Sequence, residues 1–348
     1  MALNIALLAE ICEVAGAPGY EKRIRDIVIR EVTPLVDEVS IDNMGNVTGI
    51  KKGRERKKVM IAAHMDEISF MVTHIDDKGF LRFHTLGGFD PKTLTAQRVI
   101  VHGKKDVIGV MGSKPIHVMT PEERTKPPKT TDFFIDLGMS KEEVDKIISV
   151  GDVVTRERKL IEMGNCVNCK SIDNRISVFI LIEALRTLKA VPYDVYGVFT
   201  VQEEIGIRGA NVSALQHQPD FGFGLDTTIA FDVPGAAAHE MITELGKGVA
   251  IKIMDSSTVC DYRMVEYMKN TANKHKITWQ PEVLTGGGTD TAGIQRMTAG
   301  GAIAGAISIP TRHIHQVIEM ADKGDIQLSI DLLQRCLEEL DTFNWAHR

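Results

Sequence analysis

Aromatic side chains are scarce in this sequence. Phe, Trp and Tyr together make up 5% of its 348 residues, and only 2 are Trp. The core must be built from Ile, Val, Leu, Ala and Met. A protein that grips sugars on aromatic platforms would have little beyond Trp279 and Trp345 to use. Cysteine is sparse as well. The 5 Cys are an odd number scattered along the chain, which argues against a disulfide framework and for a reducing compartment. No apolar run approaches the roughly 20 residues that a membrane-spanning helix needs. The opening stretch, MALNIALLAEICEVAGAPGY, carries no basic leader. Ile5, Leu8, Ile11 and Cys12 recur in it at helical spacing, so it reads as an amphipathic helix and not a secretion signal. Positive charge is not in excess: the net charge of −6 gives no electrostatic reason to bind nucleic acid. The basic run at 51–58, KKGRERKK, reads as a solvated turn. The expectation is a cytoplasmic protein with neither nucleic-acid nor membrane partners.

What is present is an ordinary globular mixture, 43% hydrophobic and 25% charged, in a chain long enough for about two domains. After the first helix, a second is expected over 20–32, between Gly19 and Pro34. VSIDNMGNVTGIKKG then reads as a hairpin turning at 43–45. KKVMIAAH is apolar without alternation, as in a strand buried on both faces. From 69 to 162 the texture changes. Short β-type runs (SFMVTHI, FLRFHTL, RVIVHG, DVIGVMG, DFFIDLG, DVVTRE) are separated by Gly, Asp-Asp and Pro, which predicts a β-rich, barrel-like unit. Its segment SKPIHVMTPEERTKPPKT reads as a surface loop. Helix–strand alternation then resumes. A long helix is expected in IDNRISVFILIEALRTLKA, a buried strand in DVYGVFTVQ, and a short strand in FGFGLD that ends at Asp226. A helix capped by Ser256–Ser257 is expected to run to about Asn273. AIAGAISI reads as a strand and DIQLSIDLLQRCLEELDTF as a final helix. The fold class is therefore α/β: a mostly parallel or mixed sheet flanked by helices, formed by 1–68 and 163–348. Residues 69–162 are an insertion.

Ionisable residues gather where the predicted strands end. His64 and Asp66 follow VMIAA. Asp173 opens the long helix. Glu203 and Glu204 follow VFTVQ, Asp226 closes FGFGLD, and His313 and His315 follow AISIPTR. In open α/β sheets the crevice beyond the strand carboxyl ends is where ligands bind. Each signal has a bland counterpart: Asp173 as a helix cap, paired glutamates as a solvated face, a lone His as a satisfied polar group. However, Glu203 and Glu204 follow a run too apolar for the surface, and burying carboxylates without a cation costs several kcal/mol each. Imidazole and carboxylate groups converging on one edge suit a pair of divalent cations sharing one aspartate. One further carboxylate must move the proton. Two adjacent glutamates can serve one site only if the strand stops there, as Gly206 permits.

Taken together and in order, HMDEISFMV, SIDNR, VQEEIGIRGA, LDTT with DVPG, GGGTDTAGIQ and SIPTRHIH resemble the tetrahedral (TET) aminopeptidases, co-catalytic metallopeptidases related to glutamyl and deblocking aminopeptidases. The likeness covers essentially the whole chain. It implies one cation on His64 and Asp226, a second on Glu204 and His315, and Asp173 bridging both. It further implies Glu203 as general base and acid, Asp66 setting the tautomer of His64, and a cis bond between Asp173 and Asn174. Zinc is the expected metal, with cobalt or manganese also compatible. Short peptides are the implied substrates. The implied assembly is a dimer built on the insertion and then a tetrahedral dodecamer. The sequence departs from the family where Gln316–Val317 stand in place of Ser-Pro, where Asn174 stands for a frequent Asp, and where His313 replaces a frequent Tyr. None of these changes touches a ligand.

GGGTD at 286–290 lacks the lysine of a phosphate-binding loop and reads as a loop beside the cleft that opens a helix at Thr289 or Asp290. Cys166 and Cys169 lack the further ligands of a zinc site. Two other functions compete with aminopeptidase activity. A metal-independent endoglucanase needs two opposed carboxylates but has no use for two histidines and a bridging aspartate. A non-catalytic, metal-stabilised assembly needs no proton shuttle at Glu203. No basic or acidic cluster beyond the ligands marks a side-chain pocket, so neutral aliphatic N-termini are expected.

Overall fold

Burial patterns on both faces of the central strands determine how the elements stack. In the computed structural model, which describes residues 3–347, Val59, Ile61 and Ala63 of the strand Glu55–His64 enter one core. Their alternates Met60 and Ala62 enter another. That period of two is what a strand covered on both sides requires. Helices Ile5–Glu13, Lys22–Val32, Ile172–Thr187, Tyr262–His275 and Lys323–Glu338 contribute to the larger core. Helices Arg208–His217 and Asp290–Met297 cover the opposite face through Ala214 and Ile294. Helix Ile172–Thr187 is apolar all round, with Val178, Phe179, Ile180, Leu181 and Ile182 all fully buried, as befits a helix clamped between the sheet and other helices.

The large sheet has 11 strands. Its centre is parallel: Tyr193–Thr200, Glu55–His64, Phe221–Ile229 and Ile303–Arg312 lie side by side and point the same way. Its margins are antiparallel, from the hairpin Glu38–Ile41 and Val47–Lys51 on one side to Glu319–Asp322, Cys166–Cys169 and Ile161–Met163 on the other. The six short runs of the middle segment close into a barrel whose strands span Ser69 to Arg156. Its core holds Phe70, Leu81, Val99, Val101, Ile135 and Val154.

Three expectations need correction. FGFGLD does not end at Asp226. The strand continues to Ile229 because its parallel pairing with the neighbouring strand runs on to Thr311. Ser256 and Ser257 cap no helix. The Asp255 carboxylate accepts the Ser257 and Thr258 N–H groups in a turn, and the helix starts at Tyr262, where Asp261 accepts the Arg263 N–H. The Pro-rich 113–130 segment is not irregular throughout: Thr120 and Glu123 form a capping box that starts a short helix, Pro121–Thr125. All five cysteines are free, and Cys166 and Cys169 lie on a strand of the large sheet.

Candidate metal centre

The carboxyl ends of the parallel strands deliver their side chains to one cleft of about 820 Å³. His64 is the last residue of Glu55–His64, and Asp226 sits within Phe221–Ile229. Glu203 and Glu204 follow Tyr193–Thr200 after the backbone turns out of the strand at Gln202, whose φ is 56°. The chain reverses again at Gly206, φ 125°. That break lets two consecutive glutamates reach one site. His315 lies beyond Ile303–Arg312 in a left-handed turn, φ 63°, as does His313 at φ 61°. Asp173 stands at the broken start of the long helix, and its bond to Asn174 is cis. Asn174 secures that start by donating to the Leu225 carbonyl at 2.8 Å.

These side chains form two groups of three potential ligands that share Asp173. One is His64, Asp173 and Asp226; the other is Asp173, Glu204 and His315. His64 Nε2 lies 3.5 Å from Asp173 Oδ1 and 3.8 Å from Asp226 Oδ1. His315 Nε2 lies 3.4 Å from Asp173 Oδ2 and 3.5 Å from Glu204 Oε2. Ordinary N–H···O bonds are shorter, about 2.7–3.2 Å. Bonds of about 2.0–2.2 Å to a tetrahedral cation place ligand atoms about 3.4 Å apart, which is the spacing found here. In addition, Asp173 Oδ1 and Glu204 Oε1 are buried without a hydrogen-bond partner. Buried oxygens are rarely left so, and a cation in each group would give them partners. The donor set and its spacing therefore fit divalent metal. Neither group includes Glu203, whose Oε2 is 3.8 Å from His64 Nε2 and whose side chain is 10% exposed.

Crowding shifts the titration of these groups. Burial pushes Glu203 and Asp226 well above the ordinary carboxylate range, against the pull of the His64 ring. Burial also raises Glu204, to about 7, against the pull of His315. Asp173 is equally buried, but it faces the His315 and His64 rings, and they hold it well below its usual value. Burial disfavours charge on the two histidines, yet their carboxylate neighbours prevail. His64 is held well above its ordinary value and His315 at about 10. The pocket thus balances its charge with protons, which divalent cations would displace.

Asp66 has contacts beyond the expected one with His64. Its carboxylate is 3.4 Å from His64 Nδ1, while the closer partner of that nitrogen is the Asp66 carbonyl oxygen at 3.1 Å. The same carboxylate accepts the N–H groups of Glu203 and Glu204, at 3.0 and 3.1 Å. It therefore fixes where both glutamates leave the strand.

Sequence reasoning missed several groups around the site. Asp290 opens its helix beside GGGT and accepts the Thr200 hydroxyl at 2.5 Å; burial pushes it to about 6. Lys252 lies on the cleft wall with its charge taken up by Glu282 at 2.9 Å and Asp255 at 3.1 Å. Glu67, next to Asp66, receives Lys170 Nζ at 2.5 Å and lies 3.6 Å from Arg175. That network ties HMDE to KSIDNR. Gly16 lies beside it, where a Cβ would run into Arg175 Nη2 and the Ile24 side chain. Asp290 lies in GGGTD, Glu67 in HMDEISFMV and Arg175 in SIDNR, but no short motif announces these roles, and Lys252 lies in no marked segment.

The chain is similar to known proteins over nearly its whole length. A lysyl aminopeptidase of Pyrococcus furiosus is 34% identical, over 98% of this chain and 98% of that protein. The structure of an aminopeptidase from the archaeon Desulfurococcus kamchatkensis shares 40% identity, with a TM-score of 0.93, over 96% of this chain and 94% of its own. A TET peptidase of Pyrococcus horikoshii, which can assemble into a tetrahedron or a large octahedral shell, is 30% identical with a TM-score of 0.87, over 96% of this chain and 99% of that one. Residues 45–332 match the M42 glutamyl aminopeptidase family. The chain therefore belongs to that family of metallopeptidases and is an aminopeptidase.

Proposed function

We propose that this aminopeptidase works with two divalent cations, zinc first among them, and removes N-terminal residues from short peptides. The observation that carries this reading is the pair of three-ligand groups sharing Asp173, with Glu203 left outside both. In it, His64 and Asp226 hold one ion, Glu204 and His315 the other, and Asp173 both. Bound there, the ions supply Lewis acidity towards the scissile carbonyl and lower the pKa of water to near neutrality. Glu203 takes the proton from the attacking water and delivers it to the leaving amine nitrogen. Its place outside both ligand groups, 3.8 Å from His64 Nε2, leaves its carboxylate for that task. Asp66 keeps Glu203 in reach by gripping its peptide N–H.

The cleft walls bear on which N-termini are accepted. Ile207, Ile229, Phe231, Val233, Leu284 and Ile314 line the cavity, and the only lysine on it, Lys252, is already paired. A neutral apolar side chain loses nothing there, whereas a charged one would find no free counter-ion. The decisive experiment is to strip the protein with a chelator, reload it with zinc, and assay a panel of aminoacyl-nitroanilides. Activity should vanish and return, with the leucyl substrate exceeding the glutamyl and lysyl ones by at least about tenfold in kcat/KM. Loading should release protons, and affinity should fall as the pH drops through the Glu204 value of about 7, where carboxyl and imidazole protons compete with the ion. Full activity after verified metal removal would end the reading.

Residues 69–162 are proposed as the unit of self-association, first into a dimer and then a dodecamer. Ile108, Val110, Ile116 and Val118 support this, since they are 64%, 47%, 59% and 62% exposed in that segment. Light scattering should report a dodecamer, and Ile108→Asp with Val110→Asp should give smaller species; a wild-type monomer at micromolar concentration would dismiss the idea. The free, mostly buried cysteines fit a reducing cytoplasmic setting.

A further inference from the structure

The Asp66 carboxylate grips two backbone N–H groups on one side of the cleft, and a second buried carboxylate does the same on the other. Glu319 starts the short strand Glu319–Asp322 and is fully buried. Its Oε2 accepts the N–H of Asp173 at 2.8 Å, and its Oε1 accepts the N–H of His315 at 2.9 Å. Those amides lie 142 residues apart in the chain, and this side chain joins them. Only a carboxylate offers two acceptor oxygens and no donor, so no other residue of this size can take both amides. Its counter-ion comes from the barrel. Arg156, at the end of the last barrel strand and 3% exposed, reaches to 3.9 Å from Glu319 Oε1. Arg156 is itself held by the Lys170 carbonyl at 2.7 Å and lies over the Phe89 ring at 5.7 Å.

Burying a carboxylate with so distant a counter-ion is costly, and an apolar side chain in its place would leave both amides unpaired. Which amides these are points to the role of Glu319. They belong to the shared ligand and to a ligand of the Glu204 group, and neither amide belongs to His64 or Asp226. We infer that Glu319 is a positioning residue that sets Asp173 against His315 for the ion on the Glu204 side, and that Arg156 links this clamp to the barrel. The inference rests on the two-ion reading above.

Competitive zinc titration against a fluorescent chelator, with cobalt absorption spectra in parallel, separates the two claims. Wild-type protein should bind two ions per subunit; one or none overturns the two-ion reading and the inference with it. With two bound in wild type, Glu319→Gln should weaken one ion by about 10–100-fold, since its amide keeps one acceptor and turns a donor towards the other N–H. The other ion should be weakened less, because it keeps His64 and Asp226 and shares only Asp173, and excess zinc should restore most of kcat with little change in KM. Arg156→Gln should weaken the same ion, and Arg156→Lys should retain most of the affinity. If Glu319→Gln does not fold, the Arg156 pair decides alone. Equal weakening of both ions, or wild-type affinity for both, overturns the clamp and leaves the two-ion reading standing.

Discussion

Glu203→Gln is expected to lower kcat by about 10²–10⁴-fold while both ions remain bound. The substitution keeps the size and shape of the side chain and removes its basicity. No three-ligand group contains Glu203, so metal content measured by elemental analysis should not change. The backbone anchor is also preserved, because Asp66 accepts the N–H of residue 203 and not its side chain. KM should move far less than kcat, since the lost interaction is made with a proton in flight and not with the resting substrate. Near-normal turnover in the variant, with metal confirmed, would remove Glu203 from the chemistry. Loss of metal together with activity would instead make it a ligand. The comparison with Glu204→Gln is therefore informative: that change should deplete the ion it shares with His315.

The second large effect concerns stability. Glu67→Gln is expected to destabilise the fold by about 3–5 kcal/mol, as removal of one partner from a buried ion pair generally does. The side chains of Glu67, Lys170 and Arg175 are at most 2% exposed. Burial lowers Lys170, against the pull of the Glu67 carboxylate. Without it, Lys170 and Arg175 would confront each other with no anion between them. Arg175 could not relax away, because it also donates to the carbonyls of Ile11 and Val14, at 2.7 and 3.0 Å. Denaturant unfolding of the metal-free protein gives the measurement. The double replacement Glu67→Leu with Lys170→Leu should lose less than Glu67→Gln alone, since it leaves one buried cation, Arg175, without its anion in place of two. A loss below about 1 kcal/mol for the single variant would mean that water reaches the network.

Much of this architecture is legible in the residues, and the illegible parts share a cause. The barrel strands show in the sequence because antiparallel strands alternate and are punctuated by Gly and Asp, both local signals. The helix Pro121–Thr125 was also locally encoded, by Thr120 and Glu123, but the surrounding prolines obscured it. The continuation of Phe221–Ile229 past Asp226 was not, because Thr227 and Thr228 are held by pairing with Pro310 and neighbours some 80 residues away. The antiparallel margins of the large sheet are likewise set by partners, not by pattern. At the site, the ligand-type residues stood out because each interrupts an apolar run. Glu319 and Lys252 did not stand out. A glutamate in VIEMAD or a lysine in VAIKIMD gains meaning only when distant amides or carboxylates arrive beside it.

The order of the strands has a consequence for the life history of the protein. The side chains of the cleft come from positions 64 to 315, and the last strand to deliver one, Ile303–Arg312, is seated against Phe221–Ile229 in the middle of the sheet. On the two-cation reading, the group of Asp173, Glu204 and His315 stays incomplete in a nascent chain while that slot is empty, whereas His64, Asp173 and Asp226 have all been made well before. Capture at the His315 group is therefore expected as a finishing step on an already assembled sheet.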